Sequence, residues 1–503
     1  MTFTFFGRVL VGFLLGLFWA AAVYAEQPSI PKVWDDEAMA SLEVPLVNPA
    51  ASPKHVSSEF YYSIPVRPIY KSYPVYHPSK EPPGYMESLL EKEPEIVWDA
   101  SKLQTEEDWI RAGRLVFAAP IDYDTFVQPQ FVTDPAWYEE TGTPVLPDGT
   151  VPFFNYVVRE RGKVEIGMLS CAMCHTRVMP GGQIIRGAQG NYPINPASAY
   201  GLEDQFPPES PFPRMLHRRL YGAPWLGEDD PQVWTNKVSN AEANAAEGAI
   251  PPGVIARQGT SLLHPVQVPD LIGVKDRRYL DRSGLVQHRD TSDLMRYAAL
   301  NQGADGLSSF AGFIPLAARR PDGKRPEPHE VTRYSDEQLY ALSLFIYSLE
   351  PPDNPNPFDA IAQRGKDIFK REMCATCHTP PLYTNNKLAL AGGFNPPADH
   401  YARFNILDVD VGTDPSFTFK GRRGTGYYKV PSLKGVWYRG PFGHSGSVAT
   451  LEDWFDPARL KEDYEPTGFK GYGIEQRAVP GHPFALTLPA EDRAALVAFL
   501  KTL

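Results

Sequence analysis

Cysteine is scarce in this 503-residue chain: there are four. That is too few to staple a protein of this size, and their spacing leaves none over for a structural bridge. Positive charge is also short, with 49 Lys and Arg against 60 Asp and Glu and a net charge of −11. That balance argues against a nucleic-acid binder. After residue 25 no apolar run is long enough to cross a bilayer, so no stable membrane span is expected in the mature chain. Methionine runs out early, the last being Met373. Proline, by contrast, is abundant: 51 residues, about twice the usual share, which forces long irregular stretches between helices. A hydrophobic content of 43% with 22% charged residues is an ordinary globular balance and excludes wholesale disorder. The length points to two or three domains.

Residues 1–25 read as an export signal. Arg8 precedes the apolar run Val9 to Ala22, and Val23-Tyr24-Ala25 sets small residues at −3 and −1 before Glu26. The alternative is an uncleaved anchor. Either way the body is expected outside the cytoplasm, in the periplasm or otherwise exported. Residues 26–104, rich in Pro and Tyr, read as an extended N-terminal arm over the body. A capping pattern at Thr105-Glu106-Glu107-Asp108 then opens a helix. Its Ile110 to Phe117 stretch has a near-copy in Ala362 to Phe369, with Gly113 and Gly365 in register.

Each copy is followed by Cys-x-x-Cys-His, and the first carries an insertion of about 49 residues before it. Each also ends in a leucine-striped helix, Asp336 to Leu349 and Pro489 to Leu503, whose apolar face is core. The proline-studded run 351–357 between them reads as a linker. The expected fold is therefore mainly α: two tandem cytochrome c-type haem domains, 105–350 and 358–503, with long Pro-rich irregular segments.

Cys171-Ala172-Met173-Cys174-His175 and Cys374-Ala375-Thr376-Cys377-His378 are c-type haem signatures. Two thiols on one turn reach the two vinyl groups of a porphyrin, and the adjacent His turns onto the iron. Two covalently bound c haems are expected, with His175 and His378 as proximal ligands. Electron-transfer cytochromes often add a Met opposite, but no Met follows Met373, so the second haem needs another ligand. His400 lies in a polar stretch and reads as solvated, whereas His444 and His482 sit in Gly-rich loops able to approach a porphyrin. For the first haem, Met215, His217, His264, His288 and Met295 are open candidates; Met179 is too close to cross the ring. The cluster Gln287-His288-Arg289 stands out because a base, an amide and a guanidinium beside an iron suit O–O bond cleavage.

The stretch Gly424 to Trp437, then Gly440-Pro441-Phe442-Gly443-His444-Ser445-Gly446-Ser447 and Thr450-Leu451-Glu452, with Val411-Gly412-Thr413-Asp414-Pro415 upstream, resembles the bacterial di-haem cytochrome c peroxidase superfamily. That superfamily includes the maturation enzyme of methylamine dehydrogenase and the rubber oxygenases. The resemblance is clear over 358–503, weaker over 105–350 and absent from the arm. It implies peroxide chemistry at the first haem, with Gln287 and His288 on its distal side. It also implies a second haem relaying electrons from an external donor, a small cytochrome, cupredoxin or quinol-linked carrier.

The relay Met of such peroxidases lies fourteen residues beyond the loop His matching His444; here that position is Ala458. The late Gly481-His482-Pro483-Phe484 is closer to the rubber oxygenase branch, where a similar His ligates the second haem and dioxygen binds the first. The inter-haem Trp of that branch has no counterpart around Leu271-Ile272. Pro441 matches a backbone donor of the calcium site that bridges the domains of related peroxidases. Peroxide reduction or use is thus the leading expectation. A haem dioxygenase on an extended apolar substrate and a plain di-haem electron carrier are the alternatives.

Overall fold

The computed structural model describes residues 28–503 together with Met1, so the expected export signal lies outside the described residues. Helix makes up 37% of the chain and strand 13%. Helix dominates, as expected, but a β component enters that the sequence reading did not foresee. Ser72–Tyr76, Thr150–Glu160, Lys163–Met168 and Asp122–Tyr123 form, in that order, a four-stranded antiparallel sheet. Its central hairpin lies within the insertion that separates Gly113 from Cys171. Phe153, Phe154, Tyr156, Val157 and Val158 are all buried in it, so aromatic and β-branched residues dictate strand where the neighbouring segments are helical.

Residues 28–104 do more than lie across the surface. Val33, Trp34, Leu42 and Leu46 join the main hydrophobic core. The Trp34 ring stacks on Tyr61 at 4.2 Å, and its indole N–H donates to the Val56 carbonyl at 2.8 Å. Ser72–Tyr76 pairs with Thr150–Glu160, so the Pro/Tyr-rich segment also completes the sheet. Each apolar side chain buried this way contributes about 1.5–3 kcal/mol, which is what fixes a proline-rich segment that cannot form long helices of its own.

The duplicated plan in the sequence corresponds to two similarly built helix pairs. Glu106–Ala118 begins with a capping box between Thr105 and Asp108 and packs on Asp336–Tyr347, itself capped by Ser335 and Gln338. Ala360–Arg371, capped by Asp359, packs on Ala490–Lys501. Both crossings are made at the shared glycine. A Cβ on Gly113 meets the Ala341 carbonyl oxygen at 2.0 Å, and one on Gly365 meets that of Ala495 at 1.9 Å. Beside each crossing the same ring pair recurs, Phe117 on Phe345 at 5.1 Å and Phe369 on Phe499 at 5.4 Å.

Gly365→Ala therefore forces backbone apart and should cost about 1–3 kcal/mol or more. Gly248→Ala, where the new methyl meets only the Ala199 Cβ at 3.7 Å, should be neutral or slightly stabilising. Thermal denaturation of the two variants checks the contrast; equal melting temperatures would refute the tight crossing.

Candidate haem-binding sites

The second site is built on a 3₁₀ turn, Cys374–Thr376, at the end of the Ala360–Arg371 helix. His378 Nδ1 lies 3.2 Å from the carbonyl oxygens of both Tyr383 and Pro431. A proton on Nδ1 donates there and leaves Nε2 as the free lone pair. Cys374, Cys377, His378, Trp454 and His482 line one cavity of about 270 Å³. Across it, the ring centroids of His378 and His482 are 6.2 Å apart. An iron bonded to one nitrogen of each ring at about 2 Å sets the centroids roughly 6 Å apart, so this spacing admits a metal between them. Burial pushes the His482 imidazole down to about 3, with His378 and Arg459 adding to the effect. Burial likewise lowers His378. Both rings are neutral at pH 7, the form that binds iron.

His482 reaches this place on a constrained loop. Its φ is +46°, a region costly for a residue with a Cβ. The fully buried Arg459 holds the loop: Nη1 donates to the Val479 and Gly481 carbonyls at 2.7 and 3.0 Å, and Nη2 to that of His482 at 2.9 Å. Its Nε donates to the Trp454 carbonyl at 2.9 Å. Arg459 adjoins Ala458, where the resemblance expects a Met. His444 lines the same cavity but stacks against Tyr428 at 4.9 Å and Phe417 at 6.1 Å. Burial drives it to about 4 against the opposing pull of Asp414. His400, read from sequence as solvated, is buried instead, its Nδ1 2.9 Å from the Tyr427 hydroxyl. The apolar Phe404 and Tyr427 close over a segment whose local sequence is polar.

At the first site Ser170 caps the short Cys171–Cys174 helix by accepting from the Met173 N–H. His175 Nδ1 sits 3.0 Å from the Pro269 carbonyl, the same tautomer-fixing contact as at His378. Burial, then the nearby Arg257 cation, hold His175 down at about 4. Arg257 also acts on both Cys171 and Cys174, and its Nη2 donates to the Asn301 carbonyl at 3.2 Å. Tyr297, partly buried on the same Thr291–Asn301 helix, keeps its phenol proton because desolvation raises its pKa beyond the usual range. Gln302 Nε2 is 3.4 Å from the Cys171 sulfur.

Gln287, His288 and Arg289 are each taken up by protein partners. His288 Nδ1 contacts the Arg277 carbonyl at 2.6 Å and Nε2 the Tyr347 hydroxyl at 2.7 Å, so both ring nitrogens have protein partners. Arg289 pairs with Asp293 at 2.7 Å, and Gln287 donates to the Ser41 carbonyl at 2.9 Å on the N-terminal segment. Among the other candidates, Met295 is buried in the main core, Met215 is exposed and His217 faces Glu247 at 3.6 Å. Sequence reasoning missed Arg257, Tyr297 and Gln302, which flank no motif and meet Cys171 to His175 only through the fold.

It also missed a buried cationic cluster. Arg277, Arg282, Lys429 and Arg439 converge around a single buried carboxylate, Asp270, 3.6 Å from Arg277 and 3.9 Å from Arg439. Burial pulls the Arg282 guanidinium down to about 9 and lowers Lys429. The Nε of Arg439 is buried without a partner. Arg282, Lys429 and Arg439 also line the His378 cavity. Unmatched buried cations call for an anionic ligand, and the propionates of a haem meet that need. With free cysteines in both motifs and opposed imidazoles, the residues fit haem.

They do not fit calcium. The Pro441 carbonyl expected to bind it accepts amide protons from Gln189, at 3.1 Å, and from Gln267. The neighbouring Gly440 carbonyl accepts from the Arg177 guanidinium at 3.0 Å. A buried guanidinium and two amide donors fill the bridging role with positive charge. We expect EGTA to leave the melting temperature unchanged and Arg177→Gln to lower it, both read by calorimetry; a fall with EGTA would overturn this.

No family model matches the chain. Among curated proteins it is similar to the cytochrome-c peroxidases IdrP1 and IdrP2 of Pseudomonas sp. (strain SCT). It is 26% identical to the first over 168 residues, 29% of this chain and 41% of that protein. To the second it is 27% identical over 190 residues, 32% and 47%. The chain thus spans less than half the length of these relatives. Both are named peroxidases, in accord with the resemblance drawn from the 411–452 loops. Solved structures with some likeness include the diheme peroxidase BthA from Burkholderia thailandensis E264 (17% identity, TM-score 0.28, 58% of this chain and 86% of that one). A MauG-like protein associated with microbial copper homeostasis is another (22%, 0.22, 33% and 56%). A third is Kuenenia stuttgartiensis hydrazine synthase (16%, 0.27, 59% and 95%). Likeness at that level identifies neither activity nor ligand.

Proposed function

We propose that this chain is an exported di-haem c-type oxidoreductase that reduces or uses hydrogen peroxide at the first site, held by Cys171, Cys174 and His175. Electrons from an external donor then arrive through the second, held by Cys374, Cys377, His378 and His482. The observation that carries the reading is an asymmetry. His378 has a second imidazole placed at metal-bridging distance, whereas the groups beside the Cys171 to His175 motif are the Arg257 cation and the Gln302 amide.

A bound haem supplies the redox-active iron, open to small oxidants wherever no second strong ligand is provided. The protein's part is proton and charge management. Arg257 offers positive charge where an oxyanion develops, and Tyr297, within the field of Arg257, holds a proton at its phenol oxygen. In this reading His288 keeps its bonds to Arg277 and Tyr347 and acts as a positioning residue. Gln287 and Arg289 anchor the N-terminal segment at Ser41.

The His482 loop also favours a second reading, a haem dioxygenase of the rubber oxygenase kind acting on an extended apolar substrate. Mass spectrometry should give the chain plus two haems. Carbon monoxide should bind one haem of the reduced protein, and hydrogen peroxide should bleach or shift the same one. Oxygen uptake with an isoprenoid substrate and no reaction with peroxide selects the dioxygenase. Inertness to carbon monoxide, peroxide and dioxygen alike leaves an electron carrier and sinks both enzymes.

A further inference from the structure

A cavity of about 430 Å³ lies beside the first site, walled by the N-terminal segment, the Phe212–Tyr221 helix and the 316–334 loop. Five arginines line it, Arg67, Arg219, Arg319, Arg320 and Arg333, against two acids, Asp122 and Glu330. The net balance is three positive charges. One acid is already engaged, since Glu330 pairs with Arg320 at 2.7 Å.

Three of the remaining guanidiniums keep a buried nitrogen without any partner: Nη1 of Arg67, Nε of Arg219 and Nε of Arg333. Burial and the neighbouring Arg319 pull Arg219 down to about 10, which still leaves it charged at pH 7. Arg67 and Arg333 are held in place by the rings of Tyr334 at 5.0 Å and Tyr61 at 5.2 Å. They are pre-oriented rather than free to swing into solvent. Between the guanidiniums the walls are apolar, formed by Ile64, Ile121, Leu169 and Val331. Arg319 and Thr332 form the exposed rim, while Gln302 at the floor touches the Cys171 sulfur.

We propose that this cavity binds an organic carboxylate with an apolar body, its carboxylate among the guanidiniums of Arg67, Arg219 and Arg333 that line it. Paired arginine forks match a carboxylate, and five guanidiniums gathered against two acids favour a ligand that brings negative charge. The ligand is not a haem propionate, because propionates sit at the porphyrin edge away from the thioethers, and this cavity adjoins Cys171. Nor is a bare inorganic anion the best fit, because the apolar walls would stay wet around it. The inference concerns binding and does not depend on which oxidant the first haem meets.

Isothermal titration of the haem-loaded chain with benzoate, hexanoate, phosphate and benzyl alcohol tests it. Benzoate or hexanoate should bind at least tenfold more tightly than phosphate, benzyl alcohol should not bind, and affinity should fall as salt rises. Arg219→Gln and Arg333→Gln should each weaken carboxylate binding about tenfold or more, while Arg219→Lys recovers part of it. Melting curves of the variants separate loss of the site from loss of the fold. If neither carboxylate binds the folded wild type, or if folded Arg219→Gln and Arg333→Gln bind as the wild type does, the proposal is wrong. Phosphate binding as tightly as benzoate would overturn the organic-carboxylate class.

Discussion

Replacing His482 by Ala should convert the second haem from low spin to high spin while His444→Ala leaves it low spin. The expectation rests on the geometry of one cavity that both histidines line. Only His482 stands 6.2 Å from His378 ring to ring; His444 is turned into a stack with Tyr428 and Phe417. A two-imidazole site is also of lower potential than one completed by Met, so the midpoint of the second haem should lie below that of a His/Met cytochrome. Electron paramagnetic resonance of the oxidised protein reads the outcome. A low-spin signal that survives His482→Ala and disappears in His444→Ala would transfer the ligand to His444. Arg459→Gln, which releases the three carbonyls of the ligand loop, should give a mixture of spin states instead of complete conversion.

At the first site, Arg257→Gln should slow the reaction with hydrogen peroxide by about 10²–10³-fold, the usual loss when a preorganised charge stabiliser is removed. Arg257 influences Cys171, Cys174 and His175 together. The sequence-predicted alternative, His288, has both nitrogens engaged. His288→Ala should therefore act indirectly and more weakly, with Tyr347 losing its partner. Stopped-flow mixing with peroxide decides between them: a large loss for His288→Ala with little for Arg257→Gln would restore the loop cluster as the acid–base device. Tyr297→Phe, which removes only the phenol proton, should show a loss intermediate between the two.

The two Cys-x-x-Cys-His motifs, the repeated helices and the glycines in register within them were legible because each is a local pattern. Spacing alone sets two thiols on one turn, and a helical stripe announces its own core face. The absence of a late Met narrowed the second haem's ligand to a short set of histidines, and the resemblance in the late loop then favoured His482. What stayed hidden depends on segments distant in sequence. Arg257, Tyr297 and Gln302 surround Cys171 to His175 only after three separate stretches pack. Arg277, Arg282, Lys429 and Arg439 likewise form one cluster from widely spaced positions. Nothing in the sequence around Gln287-His288-Arg289 points to Tyr347, Asp293 and Ser41, which take up those side chains. The N-terminal segment misled for a related reason: proline content reports what cannot be helix, not what is buried, and Trp34 at 1% exposure is as much core as any leucine.

Arg459 binds the carbonyls of Val479, Gly481 and His482 around the His482 turn. The His482 imidazole is therefore positioned by the protein, and its entropy is lost on folding and not on binding a metal. A centre whose ligand neither approaches nor retreats as the iron gains and loses an electron has little nuclear rearrangement to drive. Under the proposed function, such a site would pass electrons at small driving force and hold its shape while the first site makes and breaks bonds.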